Sequence, residues 1–269
     1  MQVGKSNGGR RSKGSKQVRY HRQGKYLENE KTLEVVNLTE NVVNEGKMRM
    51  AMLNCNGFND VTKQELVNLT YSHRPEIIGI LESKMHQEQE DDIVQIPNYR
   101  VVDIRRSDLA GDKNGGGILV YTRETEGLDF KHKKFAIKQK KKQFVQNERV
   151  WVTVETKGFK TAYCFAYLGF QCSKDRHGEW NDLIFEVIED EARSLKERGF
   201  RLVIGGDMNA WVGNEIKGND SRTNKNGERL LSFLDRNKMF HLNGHSKTKG
   251  VWTRHDVNSS SVGLCVYGK

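Results

Sequence analysis

Cysteine is scarce in this sequence: four residues in 269, at Cys55, Cys164, Cys172 and Cys265. None forms a CxxC pair, and no His/Cys cluster has zinc-like spacing, which argues against a disulfide scaffold and a structural zinc site. The four are read as reduced thiols of an intracellular protein, nuclear or cytoplasmic. No apolar run approaches the length that crosses a bilayer, so no membrane span is expected. The N-terminus lacks an apolar signal core, which argues against secretion. Acidic residues are missing altogether from positions 1–25, and there is no internal repeat.

What fills those first 25 positions is basic: Lys5, Arg10, Arg11, Lys13, Lys16, Arg19, Arg22 and Lys25, with Gly and Ser between them. Such a segment cannot bury enough apolar surface to fold alone. It reads as a nucleic-acid arm, as a nuclear address, or as a leader with no role. Residues 26–47 are mixed in charge and read as a linker, so residues 1–47 form a basic tail and linker. Residues 48–269 form one domain. A part of roughly 220 residues can bury a substantial core. The formal net charge of +10 favours acidic partners, nucleic acid before membrane surface.

Elements alternate along the domain. Met48 to Asn54 alternates as a strand, and Thr62-Lys63-Gln64-Glu65 reads as a capping box opening a helix that buries Leu66 and Leu69. Glu76 to Glu82 is a short apolar run suited to a strand buried on both faces. Gly115-Gly116-Gly117 leads into a strand at Ile118 to Tyr121. Residues 131–142, with seven lysines, read as a solvated loop or hairpin. Arg149 to Glu155 and Lys160 to Leu168 alternate around the turn signal Thr156 to Phe159. A helix from about Glu179 to Arg198 carries the stripe Trp180, Leu183, Ile184, Val187, Ile188 and Leu195, stopped by Gly199. Arg201 to Asp207 is a buried strand. A helix from about Gly227 to Lys238 buries Leu230, Leu231 and Leu234. This order argues a layered, mixed α/β domain.

Three buried-type strands end in polar side chains, at Asn54, Glu82 and Asp207, and Tyr167 lies near the end of a fourth. Ligand sites gather where strands end and loops begin. Each residue alone is most simply a solvated turn residue. Together, and with Asn56 and Asn209 beside two of them, they form an oxygen-rich set suited to a hard cation such as Mg²⁺.

Leu53-Asn54-Cys55-Asn56-Gly57, Ile80-Leu81-Glu82-Ser83, Ala166-Tyr167 and Gly206-Asp207-Met208-Asn209 resemble, in order, the motifs of the endonuclease/exonuclease/phosphatase family. That family includes apurinic endonucleases, DNase I-like nucleases and the endonucleases of non-LTR (LINE-type) retrotransposons. The resemblance runs from about Met48 to Ser261. Residues 228–234, His241 to Gly244 and Trp252-Thr253 resemble the retrotransposon branch and its craniofacial development protein 2-like relatives. The resemblance implies a four-layered α/β sandwich: two packed, mixed β-sheets flanked by helices. It implies Mg²⁺, with Mn²⁺ as a substitute, and DNA as partner, with RNA as the alternative. No small-molecule cofactor and no membrane partner are implied. Glu82 would ligate the metal with Asn54 in support, and Asp207 would hold and deprotonate the attacking water. Asn209 would bind the phosphate beside Asn56 and Ser261, and Tyr167 would contact a phosphate oxygen or orient a neighbour.

The pattern departs from the family at the end. Ser261-Val262 begins a Ser–apolar–Asp motif that Gly263 to Lys269 does not continue, and no Asp-His pair follows. His255-Asp256 precedes the Ser motif and reads as loop. The expectation is a domain lacking its last strand or strands, with weak or no activity. Two other readings stand beside it: a non-catalytic nucleic-acid-binding fragment, and a phosphatase or lipid phosphodiesterase on the same fold.

Overall fold

The computed structural model describes residues 34–38, 48–85, 91–104, 116–135, 148–169, 178–215, 221–243 and 263–268, all within one compact unit, Thr32–Lys269. The first sheet has five strands in the order β1-β2-β3-β5-β4: β1 (Glu34–Leu38), β2 (Met48–Asn54), β3 (Ile77–Leu81), β4 (Tyr99–Ile104) and β5 (Ile118–Arg123). The second has six in the order β10-β11-β9-β8-β7-β6: β6 (Phe130–Lys133), β7 (Arg149–Glu155), β8 (Lys160–Tyr167), β9 (Arg201–Asp207), β10 (Met239–His241) and β11 (Gly263–Gly268). Both sheets are mixed: β2 and β3 run parallel in the first, β8 and β9 in the second, and the remaining pairs are antiparallel.

The side-chain alternation along these strands builds the layers. Met50, Met52, Ile77 and Val120 point from the first sheet onto Val152, Tyr163, Phe165 and Val203 of the second. The opposite face of the first sheet, with Ala51, Leu53, Ile78 and Ile80, packs on Leu66 and Leu69 of α1 (Asp60–His73). The opposite face of the second sheet carries Cys164, Ala166, Leu202 and Ile204. It packs on Ile184, Ile188 and Leu195 of α2 (Gly178–Glu197) and on Leu230, Phe233 and Leu234 of α3 (Lys225–Asn237). Helix, sheet, sheet and helices make the four-layered sandwich expected from the motif resemblance. Where the sheets meet they come very close: a Cβ placed on Gly79 would sit 2.0 Å from the Phe165 ring.

A buried ion pair ties α2 to β7. Arg149 donates to both carboxylate oxygens of Glu191, and the Trp151 indole N–H donates to Glu191 at 2.8 Å. Burying both charges is tolerable because each is paired and hydrogen-bonded.

Three sequence expectations change, and a fourth, the loop or hairpin at residues 131–142, is met as a hairpin as far as it is described. Glu34–Leu38, placed in the linker, pairs with β2 as an edge strand from Glu34↔Met52 to Leu38↔Met48. Five residues are too few for a periodicity signal. The cap of α1 is Asn59, whose side chain accepts from the Thr62 amide at 2.9 Å, and Thr62 is a buried third-position residue. Both Asn and Thr are good caps, and the Asn three residues upstream wins the helix start. The lysine-rich segment begins as strand, since Phe130–Lys133 pairs with β7, while residues 136–142 lie outside the described residues. Finally, the place of the expected missing strand is filled. Gly263–Gly268 lies between β9 and β10, antiparallel to both, with Gly263 opposite Asp207. Sheet pairing needs backbone N–H and C=O groups, which a mismatched motif leaves in place.

Candidate active site

The two parallel strand pairs end at matching levels. In the first sheet Asn54 stands opposite Leu81, the residue before Glu82, and in the second Tyr167 stands opposite Asp207. Each sheet therefore delivers its polar residues just where a parallel pair runs out, the usual location of a ligand site.

The geometry joins them. The Asn54 side-chain amide Nδ2 donates to Glu82 Oε1 at 2.6 Å and to Asp207 Oδ2 at 2.8 Å. Those two carboxylate oxygens can be no further apart than the two bonds laid end to end. Asp207 Oδ1 also accepts from the Asn209 amide at 3.0 Å. Asn54 and Asp207, 153 positions apart in sequence and on different sheets, are thus tied by one side chain. Asn54 Oδ1 in turn accepts from the Asn56 amide at 3.0 Å, which fixes the orientation of its NH₂ group. The exposed Asn56 takes the Lys84 ammonium on its own oxygen.

Backbone strain gathers at the same place. Among the described residues seven non-glycine positions have positive φ. Arg74 and Lys238 cap helix C-termini, and Asn98 lies in a turn. The remaining four are Asn56 (φ 48), Glu82 (φ 51), Lys84 (φ 54) and Asn209 (φ 44). Each costs of order 1 kcal/mol and persists only where its surroundings impose it. Here they do. The amides of Cys55, Gly57 and Phe58 donate to the carbonyls of Leu81, Glu82 and Ser83, and the amides of Ser83 and Lys84 donate to Gly117 and Gly116. The Glu82 turn is strapped on both sides.

A second support escaped the sequence reading. Asn209 is buried, and its Nδ2 donates to the Leu168 carbonyl at 2.7 Å. Beneath it, the fully buried Asn181 and Asn226 bond to each other at 2.9 Å. Asn181 also holds both backbone groups of Gly169, and Asn226 donates to the carbonyls of Met208 and Asn209. Asn224 caps α3, donates to the Asn209 carbonyl and accepts from the Trp211 amide. Three asparagines from α2 and the start of α3 therefore fix the loop that follows Asp207. The only trace in sequence is the Asn224-x-Asn226-Gly227 helix start.

Tyr167 borders the carboxylates. Burial pushes its phenol far above the ordinary tyrosine range, and the charges of Glu82, Asp207 and Glu148 push it further, with a side-chain hydrogen bond to Glu82. Tyr167 is therefore a fixed donor to Glu82 at any working pH. Glu148, buried at the entry to β7, was not singled out by the sequence.

The predicted residues Asn54, Asn56, Glu82, Tyr167, Asp207 and Asn209 come together, while Ser261 lies outside the described residues. The side-chain N–H of Asn54 spaces the two carboxylates. The side-chain amide of Asn209 donates to the Leu168 carbonyl, and its backbone N–H donates to Asp207 Oδ1. Among the described residues no group of three or more His, Cys, Asp or Glu is placed to hold a metal ion. Two converging carboxylates still fit a hard cation such as Mg²⁺, which keeps several of its waters. Among the described residues no helix is long and apolar enough to cross a membrane.

No curated protein sequence matches the chain. Solved structures share its fold at low identity. A 3′ phosphatase from Neisseria (NExo), bound to a product DNA hairpin, superposes with a TM-score of 0.60 at 13% identity, over 82% of this chain and 86% of that one. The endonuclease domain of TRAS1, a telomere-specific non-LTR retrotransposon, gives a TM-score of 0.52 at 18% identity, over 81% and 83%. An AP endonuclease from Leishmania major gives 0.64 at 10% identity, over 82% and 79%. Residues 53–256 match the model of the endonuclease/exonuclease/phosphatase family. That match covers most of the chain and contains Asn54, Glu82, Tyr167 and Asp207, so the chain belongs to the endonuclease/exonuclease/phosphatase family.

Proposed function

We propose that this chain hydrolyses phosphodiester bonds of nucleic acid with the help of a divalent cation, and that it belongs to the retrotransposon-type branch. One observation carries the reading: the Glu82 and Asp207 carboxylates, from different sheets, converge on the single amide of Asn54. DNA is the proposed substrate, with RNA as the alternative, supported by the net charge of +10. The phrases at residues 228–234, 241–244 and 252–253 support the branch.

A phosphodiester is anionic, so its hydrolysis needs positive charge on the phosphate oxygens and a base for the attacking water. Glu82 and Asp207 would hold Mg²⁺, which when bound supplies that positive charge and stabilises the departing alkoxide. Asp207 then accepts the proton of the attacking water on a carboxylate oriented by Asn54 and Asn209. Tyr167 holds Glu82 through its hydroxyl. The side chains assembled here are carboxylates, amides and a phenol. With only the groups assembled among the described residues, slow turnover is expected, since one missing electrostatic contact costs about 10²–10³ in rate.

Plasmid nicking with and without Mg²⁺ tests the proposal. Slow, Mg²⁺-dependent conversion of supercoiled to open-circular DNA is expected, abolished by Glu82→Gln and by Asp207→Asn. Nicking that survives both substitutions, or needs no cation, would overturn it.

A further inference from the structure

Four residues beyond Asp207, Trp211 stands half-exposed among buried neighbours Ala210 and Val212, and the Arg222 guanidinium lies over its ring, 4.9 Å from the centroid. We infer that Trp211 and Arg222 form a strand-binding element of the site, in which the indole face orients the guanidinium to grip a nucleic-acid phosphate neighbouring the one that is cut. The inference rests on the proposed nuclease function and adds the residues that would hold the substrate strand.

Position supports it first. A stretch of four residues spans at most about 14 Å, so Trp211 lies within a few nucleotides' reach of Asp207. It follows the same strand end that delivers the carboxylate.

Rigidity supports it second. Trp211 donates its amide to Asn224 at 3.0 Å and accepts from the Asn224 amide at 3.1 Å. Val212 pairs with Thr223 in an isolated antiparallel bridge, which brings Arg222 back beside Trp211. A Cβ on Gly227 would meet the Trp211 carbonyl at 1.8 Å, so α3 packs directly beneath it. A structural purpose for the loop would be served by any residue with this backbone. A large aromatic left partly exposed with a cation laid across it gives up part of what it could contribute to the core.

The chemistry supports it third. An arginine guanidinium is planar, always charged, and offers a fork of N–H donors that matches phosphate oxygens, and stacking on an aromatic face fixes its plane in advance. Preorganising a long side chain removes part of the entropic cost of binding. Aromatic faces also stack bases of unpaired strands in sequence-tolerant sites.

Binding of a fluorescein-labelled DNA duplex, and of the same labelled strand alone, would be titrated with Mg²⁺ present over a range of salt concentrations. Arg222→Ala should weaken binding several-fold and reduce the slope of log affinity against log salt by about one. Trp211→Ala should weaken binding too, and Trp211→Phe should restore most of it. Arg222→Lys should keep the slope while losing part of the affinity. Circular dichroism and thermal melting confirm that each variant is folded, and Arg222→Ala, at an exposed position, serves where Trp211→Ala melts early. Unchanged affinity and slope in folded Arg222→Ala overturn this inference and leave the nuclease reading standing. Failure of the unsubstituted chain to bind either DNA overturns both.

Discussion

The two carboxylates of this site share one amide, and most of what the site can do follows from that economy. Asn54 presents N–H to Glu82 and Asp207 together, while the phenol of Tyr167 donates to Glu82 from the side. Hydrogen bonds to charged groups contribute about 1.5–3 kcal/mol, so Tyr167→Phe should slow hydrolysis by about 10- to 100-fold. Burial and three carboxylates hold the phenol protonated far above neutral pH. The alkaline limb of the pH–rate profile should therefore have the same midpoint in Tyr167→Phe as in the unsubstituted chain, measured by plasmid nicking from pH 6 to 10. A shifted alkaline limb would show that the tyrosine itself titrates during the reaction. Asn54, Glu82 and Asp207 were legible in sequence because strand ends can be located by periodicity, and oxygen-bearing residues there are few. Asn181 and Asn226 were not, because their partners lie 12 to 57 positions away. An asparagine inside a helix reads as solvated until the opposite layer is seen. Glu148 was hidden for the same reason: nothing local distinguishes a buried acid at a strand entry from an exposed one.

The elements fit together through close approach, and Gly79 is where it is tightest. Its place in the middle of β3 faces the fully buried ring of Phe165 on β8, with no room for even a methyl group. Overpacking a closed interface costs about 1–3 kcal/mol and occasionally more. Gly79→Ala should therefore lower the melting temperature by about 2–12 °C, read by differential scanning calorimetry, on the scale expected for a domain of this size. A change below about 2 °C would mean that the sheets can slide apart locally. Strands and helices were largely readable, because β2, β3, β8 and β9 are continuous apolar or alternating runs and α2 carries a clear stripe. β1 and β11 were not. Each is five or six residues long, too short to carry a clear pattern of its own.

For the whole molecule, charge and layout are separate matters. Eight of the basic residues behind the net charge of +10 lie in positions 1–25, with no acid to offset them. Deleting residues 1–25 should flatten the salt dependence of DNA binding and leave Mg²⁺-dependent nicking by bound chain in place, because no site residue is lost. An unchanged slope would show that the segment is not a nucleic-acid arm. The layout has a different consequence. The first sheet is made entirely from residues 34–123 and the second from residues 130–268, and each brings one of the two carboxylates. Neither half is a catalyst in waiting. A chain made only as far as the first sheet has Asn54 and Glu82 without Asp207, and a cut between Arg123 and Phe130 puts the two carboxylates on different fragments. The proposed site exists only once the two sheets have closed on each other.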